Sequence, residues 1–283
     1  MKKLSSIVVI CMLFALGCGG PRKKPIQIKG SDTMVNLGQA WAEKYMETNP
    51  EDFVAVTGGG SGTGIAALLS GTCDIAVSSR NITEQEISRA KEKGVDPYEI
   101  RVAMDGLAIV VHPKNPVSKL TIDQLARIFT GRIANWKDVG GADAEIVVLS
   151  REVNSGTHVY LKEHVLRKGD PNNKAEFAPG ALMLSSSQAI ADEVAQNPDA
   201  IGYYGMGYVS RRQKPILVAK TEADEYIAPT ADNVVSGKYP ISRPLFFCTD
   251  GEPRGSVKKF LDFCLSEEGQ DIVLKTDFVP IKN

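Results

Sequence analysis

The stretch VAVTGGGSGTGIAALLSG, Val54 to Gly71, decides the fold. VAVT reads as a strand and IAALLSG as a short helix. Between them lie Gly58, Gly59, Gly60, Gly62 and Gly64, interleaved with Ser61 and Thr63. In α/β sheets, strand C-termini and helix N-termini share one edge, and ligands bind there. A helix N-terminus offers unpaired backbone N–H groups and the positive end of the helix dipole. Glycine lets that backbone approach closely, and short hydroxyls add neutral donors. The stretch therefore has the chemistry of a cradle for a small anion.

Three more segments share the layout: IQIKGSDT (26–33), DIAVSSRN (74–81) and VVLSREVNSGT (147–157). Each runs an apolar strand into small hydroxyl residues. Any one of these is explained by helix capping alone. Four together, two rich in glycine and two carrying an arginine, point to a site. Arg151 closes an apolar strand four residues before Ser155, where its fork would suit two oxygens of a tetrahedral anion. The alternative for Arg151 is a surface ion pair with Glu152 or a neighbouring acid. Arg80 stands in the same position after DIAVSS, with either reading open.

Around these segments strands and helices alternate from residue 26 onward, which predicts a mainly parallel sheet covered on both faces. MVNLGQAWAEKYME carries Met34, Leu37, Trp41 and Tyr45 on one helical stripe. TEQEISRAKEKG is a helix capped by Thr83 and ended by Gly94. A second unit follows HPKNPV, with helices TIDQLARIFTG, HVYLKEHVLRKG and SSSQAIADEVAQ and strands EIVVLS and AIGYYGMGYV. Pro215 to Tyr239 reads as irregular, RPLFFCTDG as a strand, and SVKKFLDFCLSEEGQDIVLK as one long amphipathic helix. Two units of about a hundred residues fit ordinary domain size.

Several chemistries are excluded. The P-loop pattern fails because Ile65 stands where its lysine belongs. GTGIAA matches a dinucleotide-binding glycine pattern, but the next strand ends in Ser78 and Ser79 rather than a ribose-binding acid. Neither Ser61 nor Ser155 lies in G-x-S-x-G, since Thr63 and Thr157 replace the last glycine. His158 beside SGT reads as a helix-surface histidine rather than a base, and nothing has metal-ligand spacing. A formal net charge of -1 argues against general nucleic-acid binding.

The N-terminus, MKKLSSIVVICMLFALGC, has two lysines and an apolar run too short to span a bilayer. It resembles a bacterial lipobox ending at Cys18, with Ala15 and Leu16 in the reverse of the usual order. Residues 1–17 are then a lipoprotein signal peptide, Cys18 is lipid-modified, and 18–25 form a tether whose basic residues lie near anionic lipid. The alternative is a plain membrane anchor in which Cys18 is incidental. Cys73, Cys248 and Cys264 show no disulfide framework and read as buried thiols, with a Cys248 to Cys264 bridge as the alternative.

Taken together, GSDTM, GGGSGTGI, DIAVSSR, DGLAIVVHPKNPV, LARIFTGRIANWKDVGG, SREVNSGT and AIGYYGMGYV resemble the phosphate-binding subunit of bacterial phosphate uptake transporters. The likeness covers essentially the whole mature chain. It implies the two-lobe type II periplasmic binding protein fold, each lobe a mostly parallel α/β sheet flanked by helices, with phosphate in the cleft. The lobes implied are 26–112 plus 241–283, and 113–240. The family's ligand groups fall on Thr33, Ser61, Ser79, Arg151, Ser155, Gly156 and Thr157, with Ser31, Gly62, Arg80 and Asp105 beside them. Some members carry an aspartate at the position of Ser79, so the acceptor of the phosphate proton falls to Asp32, Asp105, Glu152 or a hydroxyl. The resemblance further implies a monomer at the outer face of the cell membrane, without cofactor or catalysis, serving the permease of an ABC transporter. The remaining expectations are a receptor for sulfate, molybdate or another oxyanion, and a secreted phosphate-ester hydrolase using Ser61 or Ser155.

Overall fold

The computed structural model describes residues 24–281. The expected signal peptide, Cys18 and the tether up to residue 23 lie outside these residues. The first run comprises β1 (Ile26–Gly30), α1 (Val35–Thr48), β2 (Val54–Thr57), α2 (Ser61–Leu69), β3 (Ile75–Ser78), α3 (Glu84–Lys93) and β4 (Pro97–Val111). The second comprises β5 (Lys119–Thr121), α4 (Ile122–Phe129), β6 (Val147–Arg151), α5 (Gly156–Leu161), β7 (Leu182–Leu184), α6 (Ser187–Gln196), β8 (Ala200–Gly205), β9 (Lys214–Pro215), β10 (Leu217–Ala219) and α7 (Ala231–Val235). The chain then returns through β11 (Ser242–Asp250) and ends in α8 (Gly255–Leu265) and α9 (Glu267–Lys275).

One sheet runs β2-β1-β3-β11-β4-β8-β6-β7, with β9 also on β4. Its two flanks are parallel: β2, β1 and β3 on one side, β8, β6 and β7 on the other. The centre is antiparallel, because β11 pairs with both β3 and β4, and β4 pairs with β8. Strand β4 changes partner along its length. Residues 97–106 face β11, and 107–111 face β8. The 15-residue strand thus links the two flanks.

Core packing follows the strand period of two. Leu107, Ile109 and Val111 enter a cluster with Phe129, Trp136 and Tyr203, while Ala108 and Val110 enter another with Leu149, Ile190 and Tyr204. On β11, Leu245 and Phe247 pack with Ile28, Trp41 and Phe260, whereas Phe246 and Cys248 pack with Ile65 and Ala76. Helices therefore cover both faces of each flank, burying a core on each side.

Four local readings need correction. Helix α2 begins at Ser61, so the glycine stretch supplies its first turn. The C-terminal helix is broken at Ser266, whose hydroxyl accepts the Gly269 N–H and caps α9. Close packing enforces the break. A Cβ on Gly269 would sit 2.1 Å from the Phe263 carbonyl oxygen, and Trp41 Nε1 donates to the Gly269 carbonyl at 2.7 Å. HVYLKEHVLRKG starts as α5 at Gly156 and widens into a π-turn over Lys162–Leu166. Between Pro215 and Tyr239 lie β10, paired with β5, and the short α7. Thr83 and Gly94 bound α3 as expected, through a capping box and a left-handed C-cap. The three cysteines of the described residues are free and buried, without a Cys248 to Cys264 bridge.

Candidate anion-binding site

The edge where β1, β2, β3 and β6 end gathers most of the predicted residues. Gly60, at φ +94°, turns the chain from β2 into α2, and Ser61 begins that helix completely buried. Ser61 Oγ accepts the Ser79 N–H at 3.1 Å and lies 3.4 Å from Ser79 Oγ. From the opposite flank, Gly156 comes against this pair. A Cβ on Gly156 would sit 2.2 Å from Ser61 Oγ and 2.6 Å from Ser79 Oγ, so only glycine fits. One residue on, Thr157 Oγ1 meets Thr33 Oγ1 at 2.9 Å. Thr33, Ser61, Ser79, Gly156 and Thr157 are therefore one cluster built from both flanks. Ser155 stands at its margin as the cap of α5, its Oγ accepting the Thr157 and His158 N–H groups.

Arg151 is 1% exposed, so the surface-pair alternative fails. Its Nη1 donates to Ser187 Oγ and its Nη2 to the Ser185 carbonyl, both at 2.9 Å. Nη1 also lies 3.3 Å from Asp32 Oδ2, an ion pair between the two flanks. Burial pulls the guanidinium down from its ordinary value, and Asp32 opposes that pull. Arg80 turns away from the cluster. Its guanidinium forks onto Glu86, with both bonds at 2.8 Å, and holds the start of α3. That fork, with the Thr83 N–H and hydroxyl, keeps the Glu86 carboxyl below its ordinary value despite burial.

Among the remaining candidates, Ser31 bonds through its backbone N–H to Val77, and Gly62 N–H donates to the Asn154 carbonyl at 3.0 Å. Asp105 is fully buried with both oxygens engaged. Oδ2 accepts Arg243 Nε and Nη2 at 3.0 and 2.8 Å, and Oδ1 accepts the Met206 N–H at 3.0 Å. Burial pushes this carboxyl up, against the pull of Arg243. Glu152 is exposed. Of the three carboxylates considered as proton acceptors, Asp32 is the one at the cluster's rim. Its Oδ2 takes the Ser187 N–H at 2.7 Å beside Arg151.

Two residues at this edge escaped the sequence reading. Asn154 bridges the flanks, its Nδ2 donating to the Gly59 carbonyl at 2.9 Å and to Thr63 Oγ1 at 3.1 Å. Arg243, fully buried on β11, donates from Nη2 to Thr157 Oγ1 at 3.1 Å and Thr33 Oγ1 at 3.4 Å. Among the described residues, Arg80 Nε, Arg151 Nε and Arg243 Nη1 are buried guanidinium nitrogens without a hydrogen-bond partner, and the last two belong to side chains beside the hydroxyl cluster. Orphaned charged donors at one cluster of hydroxyls suit an anionic acceptor.

His158 corrects the expectation of a surface histidine. It is 2% exposed, packs on the Phe177 ring at 4.5 Å, and its Nδ1 lies 3.3 Å from Ser150 Oγ. Ser150 Oγ in turn meets Tyr203 OH at 2.7 Å. The period of α5 turns His158 into the core rather than toward Ser155. It is a packing group behind the cluster, not a base within it.

Comparison with known proteins gives consistent matches. A family model described as a PBP superfamily domain matches residues 19–268. The phosphate-binding protein PstS of Pseudomonas aeruginosa is 32% identical over 269 residues, spanning 89% of this chain and 81% of that protein. The phosphate-binding protein PstS of Borreliella burgdorferi is 31% identical over 288 residues and 100% of both chains. A crystal structure of a provisionally assigned phosphate ABC transporter substrate-binding protein from Clostridium perfringens, with bound phosphate, superposes with a TM-score of 0.82. It is 34% identical and covers 92% of this chain and 100% of that one.

His158 makes a pH prediction. Burial lowers its value from 6.5 to about 4 in the folded chain. Between those values the unfolded chain holds the extra proton, so folding stability is full above pH 6.5 and falls toward pH 4. The loss is about 3 kcal/mol for a shift of this size. Urea unfolding at pH 7.5 and 4.5 should show a smaller drop in His158→Phe than in the unsubstituted chain; equal drops would exclude this source.

Proposed function

Because this chain belongs to the PBP superfamily and, within it, to the family of phosphate-binding PstS proteins, we propose that it binds inorganic phosphate outside the cytoplasm for ABC-type import. The observation that carries the reading is the convergence of Thr33, Ser61 and Ser79 with Gly156 and Thr157, with Arg151 alongside. These are neutral hydroxyl and backbone donors plus a buried guanidinium, the set that solvates a tetrahedral dianion without bulk water. Phosphate seated there replaces the direct Thr33–Thr157 contact with bonds from each hydroxyl to one ion.

Closure is the second part of the proposal. The two lobes, meeting where β4 passes from β11 to β8, would separate along a seam that carries small polar contacts: Asn154 on the glycine stretch, Arg151 and the Ser187 N–H on Asp32, and Tyr208 OH on the Asp32 carbonyl at 2.9 Å. A ligand bridging both sides favours the closed arrangement by its differential affinity for the two states. That difference is what a permease would read. We assign no catalysis to the site. Ser61 Oγ has Ser79 as its hydrogen-bond partner, and Ser155 Oγ is spent as a helix cap, so the hydrolase reading loses support.

Among the described residues no helix is long and apolar enough to cross a membrane. Lipid attachment at Cys18, delivery to permease subunits and action as a monomer belong to the same proposal.

Titration calorimetry on the chain from residue 24 should show saturable phosphate binding, weakened at least about tenfold in Arg151→Ala, the loss of one charge-assisted bond. Absence of phosphate binding, or sulfate bound equally well in competition, would overturn the assignment. Gly156→Ala should weaken phosphate strongly, because its Cβ takes the space of the Ser61 and Ser79 hydroxyls. Asn154→Ala should raise the phosphate dissociation rate several-fold while leaving the phosphate-to-sulfate preference unchanged. Stopped-flow release and competition titration separate the two effects, and an unchanged rate would remove Asn154 from closure.

A further inference from the structure

Arg243 and Asp105 stand directly opposite each other on β11 and β4, at the point where β4 passes from β11 to β8. Both are fully buried. The bonding pattern fixes the orientation of the guanidinium. Its Nε and one hydrogen of Nη2 are held by Asp105 Oδ2. The other Nη2 hydrogen reaches the hydroxyls of Thr157 and Thr33. A guanidinium is a planar fork, so an Nη1–H runs parallel to that second Nη2–H. Nη1 therefore faces the same place as the bond to the two threonines, yet it is buried and has no hydrogen-bond partner among the described residues, while the Tyr160 ring lies 5.5 Å from the guanidinium carbon.

We propose that Arg243 is a second guanidinium of the phosphate site, contacting the anion through Nη1 and turning Thr33 and Thr157 into donors toward it. This rests on the phosphate-binding reading above and adds a residue to that site. The donor role follows from hydroxyl chemistry. Each hydroxyl has one hydrogen and two lone pairs. When Nη2 occupies a lone pair, the hydrogen is directed elsewhere, here toward the other threonine or an entering anion. Asp105 lies on the far edge of the fork, so it neutralises the buried charge without covering Nη1. Arg151 and Arg243 then approach the anion from β6 and β11, and each is balanced by one carboxylate, Asp32 and Asp105.

Arg243→Lys is the primary test, because lysine keeps the charge pair with Asp105 but lacks the second edge of the fork. Calorimetry should show phosphate affinity at least about tenfold weaker, with a melting temperature close to that of the unsubstituted chain. The double variant Asp105→Asn/Arg243→Gln removes both buried charges together and avoids stranding a lone carboxylate. It too should fold and bind phosphate at least about tenfold more weakly. Wild-type phosphate affinity in either folded variant overturns the proposal. A smaller but persisting loss on Arg243→Lys in a Thr33→Val/Thr157→Val background supports both roles; disappearance of the loss there overturns the direct contact, and an undiminished loss overturns the action through the threonines. Absence of phosphate binding by the unsubstituted chain overturns the parent reading as well, which keeps the two failures distinct.

Discussion

A buried charge pair at the crossing of two strands organises this molecule. Asp105 and Arg243 sit opposite each other where β4 leaves one partner strand for the next, with no exposure to solvent. Two ions taken out of water carry a large desolvation penalty, offset only by close geometry and further bonds. Here Asp105 takes both Nε and Nη2 of the arginine and the Met206 N–H besides. Strand register and charge pairing thus enforce each other, since a slip of β11 by one residue would turn Arg243 to the face opposite Asp105. From this point Nη2 extends to Thr33 and Thr157, so the crossing also fixes where the two flanks touch.

The seam between the flanks has a different character from the cores. Large apolar side chains stay within their own clusters: Trp41, Phe247 and Phe260 on one side, Phe129, Trp136 and Tyr203 on the other. Across the seam the contacts described above are hydroxyls, glycine backbone, Asn154 and the Asp32–Arg151 pair. Water can replace such bonds, whereas parting apolar cores would cost about 25 cal/mol for every Å² exposed. A seam of this kind opens cheaply and closes on whatever satisfies its donors. Small side chains are required for the same reason. Gly156 lies so close to Ser61 and Ser79 that one methyl group would hold the flanks apart.

Much of this was legible from residue order. The alternation of strands and helices, the caps at Thr83 and Gly94, and the role of the glycine stretch all come from local patterns that the chain keeps when folded. The misread places share a cause. SVKKFLDFCLSEEGQDIVLK has one continuous apolar stripe, but Gly269 must pass the Phe263 carbonyl and meet Trp41, which divides it at Ser266. His158 follows a hydroxyl-rich turn and looks exposed, yet the ring of Phe177 covers it. Arg80 and Arg151 stand in like positions after apolar strands. Glu86, one turn into the following helix, takes the first, while no acid follows within a turn of Arg151 except the outward Glu152.

Sequence by itself determined the fold class, the four strand ends rich in hydroxyls, and the type of ligand they suit, because period and turn chemistry are local properties. Tertiary structure alone decided which of those groups meet. Thr33 and Thr157 are 124 positions apart, and Arg243 lies 210 from Thr33. Nothing near Arg243 in the chain marks it as more than the start of an apolar strand. Its place beside Thr33 and Thr157 comes from the antiparallel register of β11 on β4, a pairing between residues more than a hundred positions apart. Local chemistry supplied the parts of the site; long-range strand pairing set their arrangement.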